Sequence, residues 1–399
     1  MTLRKHAIFA ATLTLSLAVA GCSSTNSGQR PASPAPLPAI SATGTAEPIP
    51  APSIVINGAP SAAVTEQVVV VNGLAVPWDI EFMPDGSMLV SERDTGIIKR
   101  VRSGFATALN GPGAEALRES VATDGEGGLL GLAISATDST VMYAYLSRAD
   151  GNAVVRMSLT GELLSSPIDV MTGIPHANNH NGGRIAFGPD GFLYVATGDS
   201  ADASLAQDKD SLAGKILRVV ADGSVDDGSA APGNPFDSPV WSMGHRNVQG
   251  LDWTADGRLY ASEFGDKSWD ELNLIEPGAN YGWPEVEALQ GSPSGTELGA
   301  TVKGFTYPVA QWPVADASPS GLAITEDAIY TAALRGEGVW RIPLTQTGTG
   351  TPARLSVDIG RVRDVAIGPG GDLYVITNNT DGRGEPRQGD DHVYRLSVE

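Results

Sequence analysis

The 399-residue chain has one cysteine, Cys22. A lone thiol excludes an intramolecular disulfide and a metal site built from several thiolates. Basic residues are scarce: 26 Lys and Arg stand against 46 Asp and Glu, for a formal net charge of −20. That balance argues against nucleic acid and anionic lipid as partners, because both need a cationic footprint. Helical periodicity is scarce as well, and 48 glycines punctuate short apolar runs instead. With no disulfide to lean on, stability must come from a core of packed strands.

The one long apolar stretch, Ala7 to Ala20, follows Met-Thr-Leu-Arg-Lys-His and precedes Gly21-Cys22. Charged, hydrophobic and small-residue regions in that order form an export signal, too short to span a bilayer. With Ser23 and Ser24 behind the cysteine, the stretch resembles a bacterial lipobox with Cys22 as the lipidated residue; an ordinary signal peptide with a chance cysteine is the alternative. Lipidation would consume the only thiol and anchor the protein at the outer face of the cell membrane. From Thr25 to about Thr65 the chain is mainly Pro, Ala, Ser, Thr and Gly, too poor in large apolar groups to offset chain entropy. The expected organisation is a signal peptide over 1–21, a lipidated cysteine and disordered tether over 22–65, and one domain over 66–399 that touches the membrane only through its anchor.

Six related segments recur in that domain: "PDGSMLVSER", "TDSTVMYAYLSR", "PDGFLYVATGD", "ADGRLYASEFG", "EDAIYTAALRG" and "GGDLYVITNN". Aligned on Leu89, Tyr143, Tyr194, Tyr260, Tyr330 and Tyr374, they lie 44 to 70 residues apart, the period of a propeller blade. Each is a turn followed by a short apolar strand, and each is followed by a second strand with a polar residue at a matched place: Arg100, Arg156, Arg218, Asn273, Arg341 and Arg395. Two matched strands per repeat predict an all-β fold, a six-bladed β-propeller. The run "EQVVVVNGL" (66–74) is expected to complete the last blade and close the ring. Arginines that recur once per blade are read as structural.

Function is sought where loops break the repeat. Extra residues follow the repeat strand in the third blade, "SADASLAQDKDSLAG" (200–214), and in the sixth, "TDGRGEPRQGDD" (380–391). "HNGGR" (180–184), "GHRNVQG" (244–250), "EFGDKSWDELN" (263–273), "LRGEG" (334–338) and "GRVRDV" (360–365) flank repeat strands. A propeller would bring them to one mouth, so His180, Arg246, Arg335, Arg361 and Arg363 should converge. Planar guanidinium groups match carboxylates, and four of them in an acidic protein point to an anionic ligand.

These motifs, with "GLAVPWDIEFMPDG", "GEGGLLGLAI", "HNGGRIAFGPDG" and "DELNLIEPGANYGWP", resemble in kind and order those of the soluble quinoprotein glucose/sorbosone dehydrogenases, the PQQ-dependent aldose sugar dehydrogenases. The resemblance runs from about Leu74 to Leu396. It implies a six-bladed propeller that oxidises aldoses at the anomeric carbon to lactones, with PQQ and Ca²⁺ as cofactors and an external electron acceptor. Carried over motif by motif, His180 is similar to the family's general base, and Arg246 with Asn247 to its active-site Arg-Asn pair. The carbonyls of Gly265 and Asp266 fall where Ca²⁺ is held, and Arg335, Arg361 and Arg363 where basic residues hold the PQQ carboxylates. Glu126 stands beside the cofactor position where glutamine is common, Asp266 where proline is common, and Arg335 where lysine is frequent. Glu126 would add negative charge beside an anionic cofactor.

Plainer readings stand beside these. A loop histidine is often satisfied by backbone groups, and Arg361 with Arg363 could form a solvated strand edge. His176 and His245 are read as supporting residues and His392 as packing. Asp199, Asp208 and Asp210 offer oxygen ligands for a second Ca²⁺ or form a solvated loop, and Trp312 could wall a pocket or fill the core. A metal-dependent lactonase propeller is one alternative function, although no convergent Glu, Asn and Asp set is visible. A cofactor-free propeller that binds a glycan or a protein is the other, favoured by Glu126.

Overall fold

Four of the repeat turns fold by the same hydrogen bonds. In the first, Met83 N donates to Ser87 O at 2.8 Å and Gly86 N to Met83 O at 2.9 Å. Gly86 takes φ +80° there, and Gly191, Gly257 and Gly371 sit at equivalent places with φ of 80 to 88°. A three-residue hairpin loop ending in a left-handed residue requires this conformation, which only glycine adopts without strain. The Asp-Gly punctuation of the sequence is thus the hairpin signal itself.

The computed structural model describes residues 61–221, 228–292, 294–346 and 348–398. All belong to the unit Pro48–Glu399. The expected signal peptide, Cys22 and nearly all of the tether lie outside the described residues.

The hairpins assemble into a six-bladed β-propeller. The innermost strands are Pro77–Phe82, Leu129–Ile134, Ile185–Phe187, Val248–Trp253, Pro319–Ile324 and Val362–Ile367. Each leads an antiparallel blade, and each packs against its two neighbours around a closed ring. Strand Val64–Val71 pairs antiparallel with Val393–Val398, Val68 opposite Arg395, so this strand completes the sixth blade as expected. Residues Ser61–Ala62 add a short parallel strand to Ala353–Leu355 of the fifth blade. Apolar faces of adjacent blades form the core, in clusters such as Trp78, Leu130, Tyr145, Val154, Ile185 and Val195.

The matched strand positions are direct cross-strand partners in five blades: Leu89 with Arg100, Tyr143 with Arg156, Tyr194 with Arg218, Tyr330 with Arg341 and Tyr374 with Arg395. The fourth blade departs from the expectation. There Leu274 faces Tyr260, and Asn273 lies one residue off, opposite Ala261. Several repeat arginines bind the aspartate of their own blade's turn, as in Arg218–Asp190 at 2.8 Å, Arg341–Asp327 at 2.6 Å and Arg395–Asp372 at 3.2 Å. They staple hairpins, as their recurrence implied.

Side chains from the inner strands tie neighbouring blades together. Asp79 accepts from Leu132 N (2.6 Å), Asp364 from Ile80 N (2.9 Å), Asp252 from Ile324 N (2.7 Å) and Glu81 from Ile134 N (3.0 Å). Each bond satisfies an inner-edge amide that no strand can reach. Arg184 pins three elements, bound to Asp79 and Asp364 and donating from Nε to Gln249 O at 3.0 Å, with its guanidinium 4.5 Å from the Trp78 ring.

Burial, reinforced by the charge of Asp79, pushes the Glu81 carboxyl from 4.5 up to about 8. Between those values the folded protein holds a proton that the unfolded chain releases, so this group's contribution to stability falls as pH rises from about 4.5 to about 8. Glu81→Gln keeps the acceptor for Ile134 N and removes the ionisation. Thermal melts should coincide near pH 5, and near pH 9 the variant should melt higher by roughly 2 °C or more.

Candidate active site

The motif "HNGGR" makes a turn that larger residues could not make. A Cβ on Gly182 would lie 2.5 Å from Thr197 Cα, and one on Gly198 1.9 Å from His180 O. Between these close approaches His180 takes φ +59°, a left-handed conformation that histidine enters more readily than most residues. Its Nδ1 lies 2.7 Å from Asp199 Oδ1. A carboxylate accepts, so Nδ1 donates and Nε2 is left as an acceptor. Asp199 is itself fixed, accepting from Trp283 Nε1 at 2.8 Å and Ala201 N at 2.9 Å.

The third blade's insertion supports this arrangement. Buried Lys215 donates from Nζ to Leu205 O, Ala206 O and Ala213 O at 2.6 to 3.1 Å, wrapping the insertion around its ammonium. Gln207, held in that wrap, donates to Trp283 O at 2.6 Å. Burial pushes the Lys215 ammonium down to about 8.

His180 faces a cavity of about 600 Å³ at one mouth of the propeller. Glu126, Arg246, Gly265, Asp266, Arg335, Arg361 and Arg363 line the same cavity. The expected convergence of four arginines and a histidine therefore holds. Asn247 is the exception. It stands behind the wall, 1% exposed, its Oδ1 accepting from Gly182 N and Gln249 Nε2 at 3.0 Å each. Gln249 lines the cavity in its place and accepts from Arg363 Nη1 at 3.0 Å.

The electrostatics divide the arginines. Arg361 pairs with buried Asp381 at 2.9 Å and Arg246 with Asp266 at 3.3 Å. Burial opposes ionisation of Asp381, but the Arg361 charge and a bond from Arg383 N hold it below the usual carboxylate range. Arg335 and Arg363 have no carboxylate within ion-pair distance among the described residues. Arg363 is 4% exposed, and burial together with the nearby Arg93 pushes its guanidinium down to about 9. The Nε atoms of Arg246, Arg361 and Arg363 are buried and have no partner. Such donors fit an anionic ligand that brings its own acceptors.

Glu126 is less exceptional than its sequence implied. Its Oε2 accepts from His180 N at 3.1 Å, and its Oε1 pairs with Arg383 Nη2 at 3.3 Å. Arg383 comes from the sixth blade's insertion, which thus reaches Glu126 at the cavity. Asp270, pushed up to about 6 by burial and stabilised by bonds from Gly265 N and Ser318 N, also lines the cavity. Sequence reasoning passed over Asp270, Gln249, Trp283 and Arg383, whose partners lie far away in the chain.

The remaining expectations sort by contact. His245 is fully buried between Glu263 (2.8 Å) and Ser242 (2.9 Å) and stacks on Tyr281. His392 pairs with Asp390 at 3.0 Å and stacks on Tyr394. Trp312 is 0% exposed beside Trp340, so it is core and Val314 walls the cavity. Asp199 turns inward to His180 while Asp208 and Asp210 stay exposed. No group of three or more His, Cys, Asp or Glu is placed to hold a metal ion among the described residues, so Asp199, Asp208 and Asp210 do not gather into one, and the solvated-loop alternative describes Asp208 and Asp210.

A propeller whose mouth joins an oriented imidazole to a guanidinium-lined cavity pairs a proton acceptor with a binding site for an anionic ligand. Residues 74–385 match the family described as glucose/sorbosone dehydrogenase, and the chain belongs to that family. It is 29% identical over 340 residues to an aldose sugar dehydrogenase of Escherichia coli, covering 77% of this chain and 88% of that one. It is 31% identical over 254 residues to quinoprotein glucose dehydrogenase B of Acinetobacter calcoaceticus, covering 55% and 52%. The solved PQQ-bound aldose sugar dehydrogenase of Streptomyces coelicolor shares 46% identity at a TM-score of 0.76, over 85% of this chain and 98% of that one.

Proposed function

We propose that the protein oxidises aldose sugars at the anomeric carbon to lactones, with PQQ and Ca²⁺ as cofactors. The observation that carries this reading is the placement of one imidazole, oriented by Asp199, against the buried, under-paired guanidinium groups of Arg246, Arg361 and Arg363. The PQQ named for the Streptomyces relative is a polycarboxylate of the kind those donors suit. Gly265 and Asp266 border the cavity, their carbonyls accept no hydrogen bond among the described residues, and hard oxygen donors suit Ca²⁺.

When bound, PQQ supplies a quinone that accepts hydride and Ca²⁺ a Lewis acid beside it. The chain's own residues do the rest. His180 Nε2 takes the proton of the anomeric hydroxyl, and Asp199 stabilises the imidazolium that results. Arg246, over the Trp283 ring at 5.4 Å, aims its donors at the charge that develops beside it. Arg335, Arg361 and Arg363 hold carboxylates. The open mouth leaves room for an external electron acceptor. Export and anchoring through Cys22, supported by the order of regions around Gly21-Cys22-Ser23, belong to the same proposal.

The test is product identity. Full-length protein supplied with PQQ, Ca²⁺ and an artificial acceptor should convert aldoses labelled with ¹³C at C1 to lactones, read by NMR. Oxidation at another carbon, or no turnover of any aldose, sinks the proposal.

The rim pair makes a separate prediction. Arg383→Ala leaves Glu126 uncompensated and should weaken PQQ binding roughly three- to tenfold. Adding Glu126→Gln should recover most of the loss. Equal affinities for wild type and Arg383→Ala in an equilibrium titration would show that the pair is irrelevant to the cofactor.

A further inference from the structure

Glu287 makes a contact that the proposed chemistry does not use. Its Oε1 accepts hydrogen bonds from four successive backbone amides: Asp266 N at 2.8 Å, Lys267 N at 2.9 Å, Ser268 N at 2.9 Å and Trp269 N at 3.2 Å. Four amides aimed at one anion fix a short loop as firmly as a helical turn would. Burial adds little to the loop, since Asp266 and Lys267 are exposed.

The rest of the surroundings fit the same purpose. Glu287 is tied down by paired backbone bonds with Gln290 at 2.8 and 3.2 Å. Asp270 Oδ1 anchors the start of the loop through Gly265 N at 2.9 Å. Only glycine fits at 265, because a Cβ there would lie 1.8 Å from Trp269 O and 3.0 Å from Glu287 Oε1. With its amides turned to Glu287, the loop leaves the Gly265 and Asp266 carbonyls unclaimed, and both residues border the cavity. The first of the four bonds needs an N–H at 266, which aspartate has and proline lacks. Asp266 and Glu287 therefore work together: a residue that can donate stands where the carboxylate can accept.

We infer that Glu287 is a positioning residue that moulds the 265–269 loop so that the Gly265 and Asp266 carbonyls present a preformed pair of oxygen donors for Ca²⁺. The inference rests on the proposed use of those carbonyls as cation ligands. It assigns Glu287 no contact with substrate or PQQ.

The experiment compares the full-length wild type with Glu287→Ala and Glu287→Gln. It reads deuterium uptake of the peptide spanning 265–270, Ca²⁺ affinity by calorimetry, and PQQ affinity without Ca²⁺. Glu287→Ala should speed exchange at 266–269 and weaken Ca²⁺ at least tenfold while PQQ affinity without Ca²⁺ stays the same. Glu287→Gln, which keeps the acceptor oxygen but not its charge, should fall between. If the wild type binds Ca²⁺ and Glu287→Ala binds it equally well, the inference fails and the carbonyl site stands. If the wild type binds no Ca²⁺, the carbonyl site fails and takes the inference with it. Equal losses of Ca²⁺ and Ca²⁺-free PQQ binding would mean general collapse of the mouth and also overturn it.

Discussion

Replacing His180 by alanine should lower kcat/KM for aldose oxidation on the order of 10³-fold, with PQQ affinity unchanged. The size follows from the geometry. Nδ1 is committed to Asp199 at 2.7 Å, Asp199 is committed to Trp283 and Ala201, and the ring has one remaining nitrogen to offer the cavity. No other histidine lines that cavity among the described residues, and His245 is fully buried against Glu263 and Ser242. Loss of the ring removes the proton acceptor without touching the guanidinium groups. Steady-state kinetics of the reconstituted variant beside an equilibrium PQQ titration check both halves. A His180→Ala enzyme within tenfold of wild type would mean that another group takes the proton.

Arg363→Met should weaken PQQ binding by about 100-fold or more while the melting temperature of the cofactor-free protein does not fall. These effects have opposite signs because the group is burdened until a ligand arrives. Arg363 is 4% exposed, is bound to the neutral acceptors Gln249 and Ser320 at 3.0 and 3.2 Å, and carries an unpartnered buried Nε. Burial and the like charge of Arg93 press on the same guanidinium. Methionine relieves that burden and keeps much of the volume. Calorimetric melting of the cofactor-free variant and a PQQ titration give the two readings. A variant that melts well below wild type would mean that Arg363 is a structural arginine, like those that staple the hairpins.

The blade count was legible because four blades share a turn closed by a left-handed glycine and five place an arginine in the following strand, and local turn chemistry is written in neighbouring residues. Asn273 shows the limit of that reading. Blade four alternates as Glu-Leu-Asn-Leu, and pattern alone cannot say which member faces Tyr260; the pairing register places Leu274 there. The arginines and His180 were legible as a group because they flank repeat strands, which a propeller must bring together. Their relations were less so. Trp283 lies 84 residues from Asp199, and Arg383 lies 257 from Glu126. Such contacts depend on where two insertions fold. Asn247, adjacent to Arg246 in the sequence, lies behind the wall, where its Oδ1 is claimed by Gly182 N and Gln249 Nε2.

The central claim is that one residue set abstracts a proton while hydride leaves the anomeric carbon. Its most direct test is an anaerobic single turnover of the full-length protein loaded with PQQ and Ca²⁺, mixed with glucose carrying hydrogen or deuterium at C1, while the quinone absorption is followed. The account predicts loss of that absorption with one aldose consumed per PQQ, and a rate several times slower with deuterium. A quinone signal that does not change, or a rate blind to deuterium at C1, would contradict it.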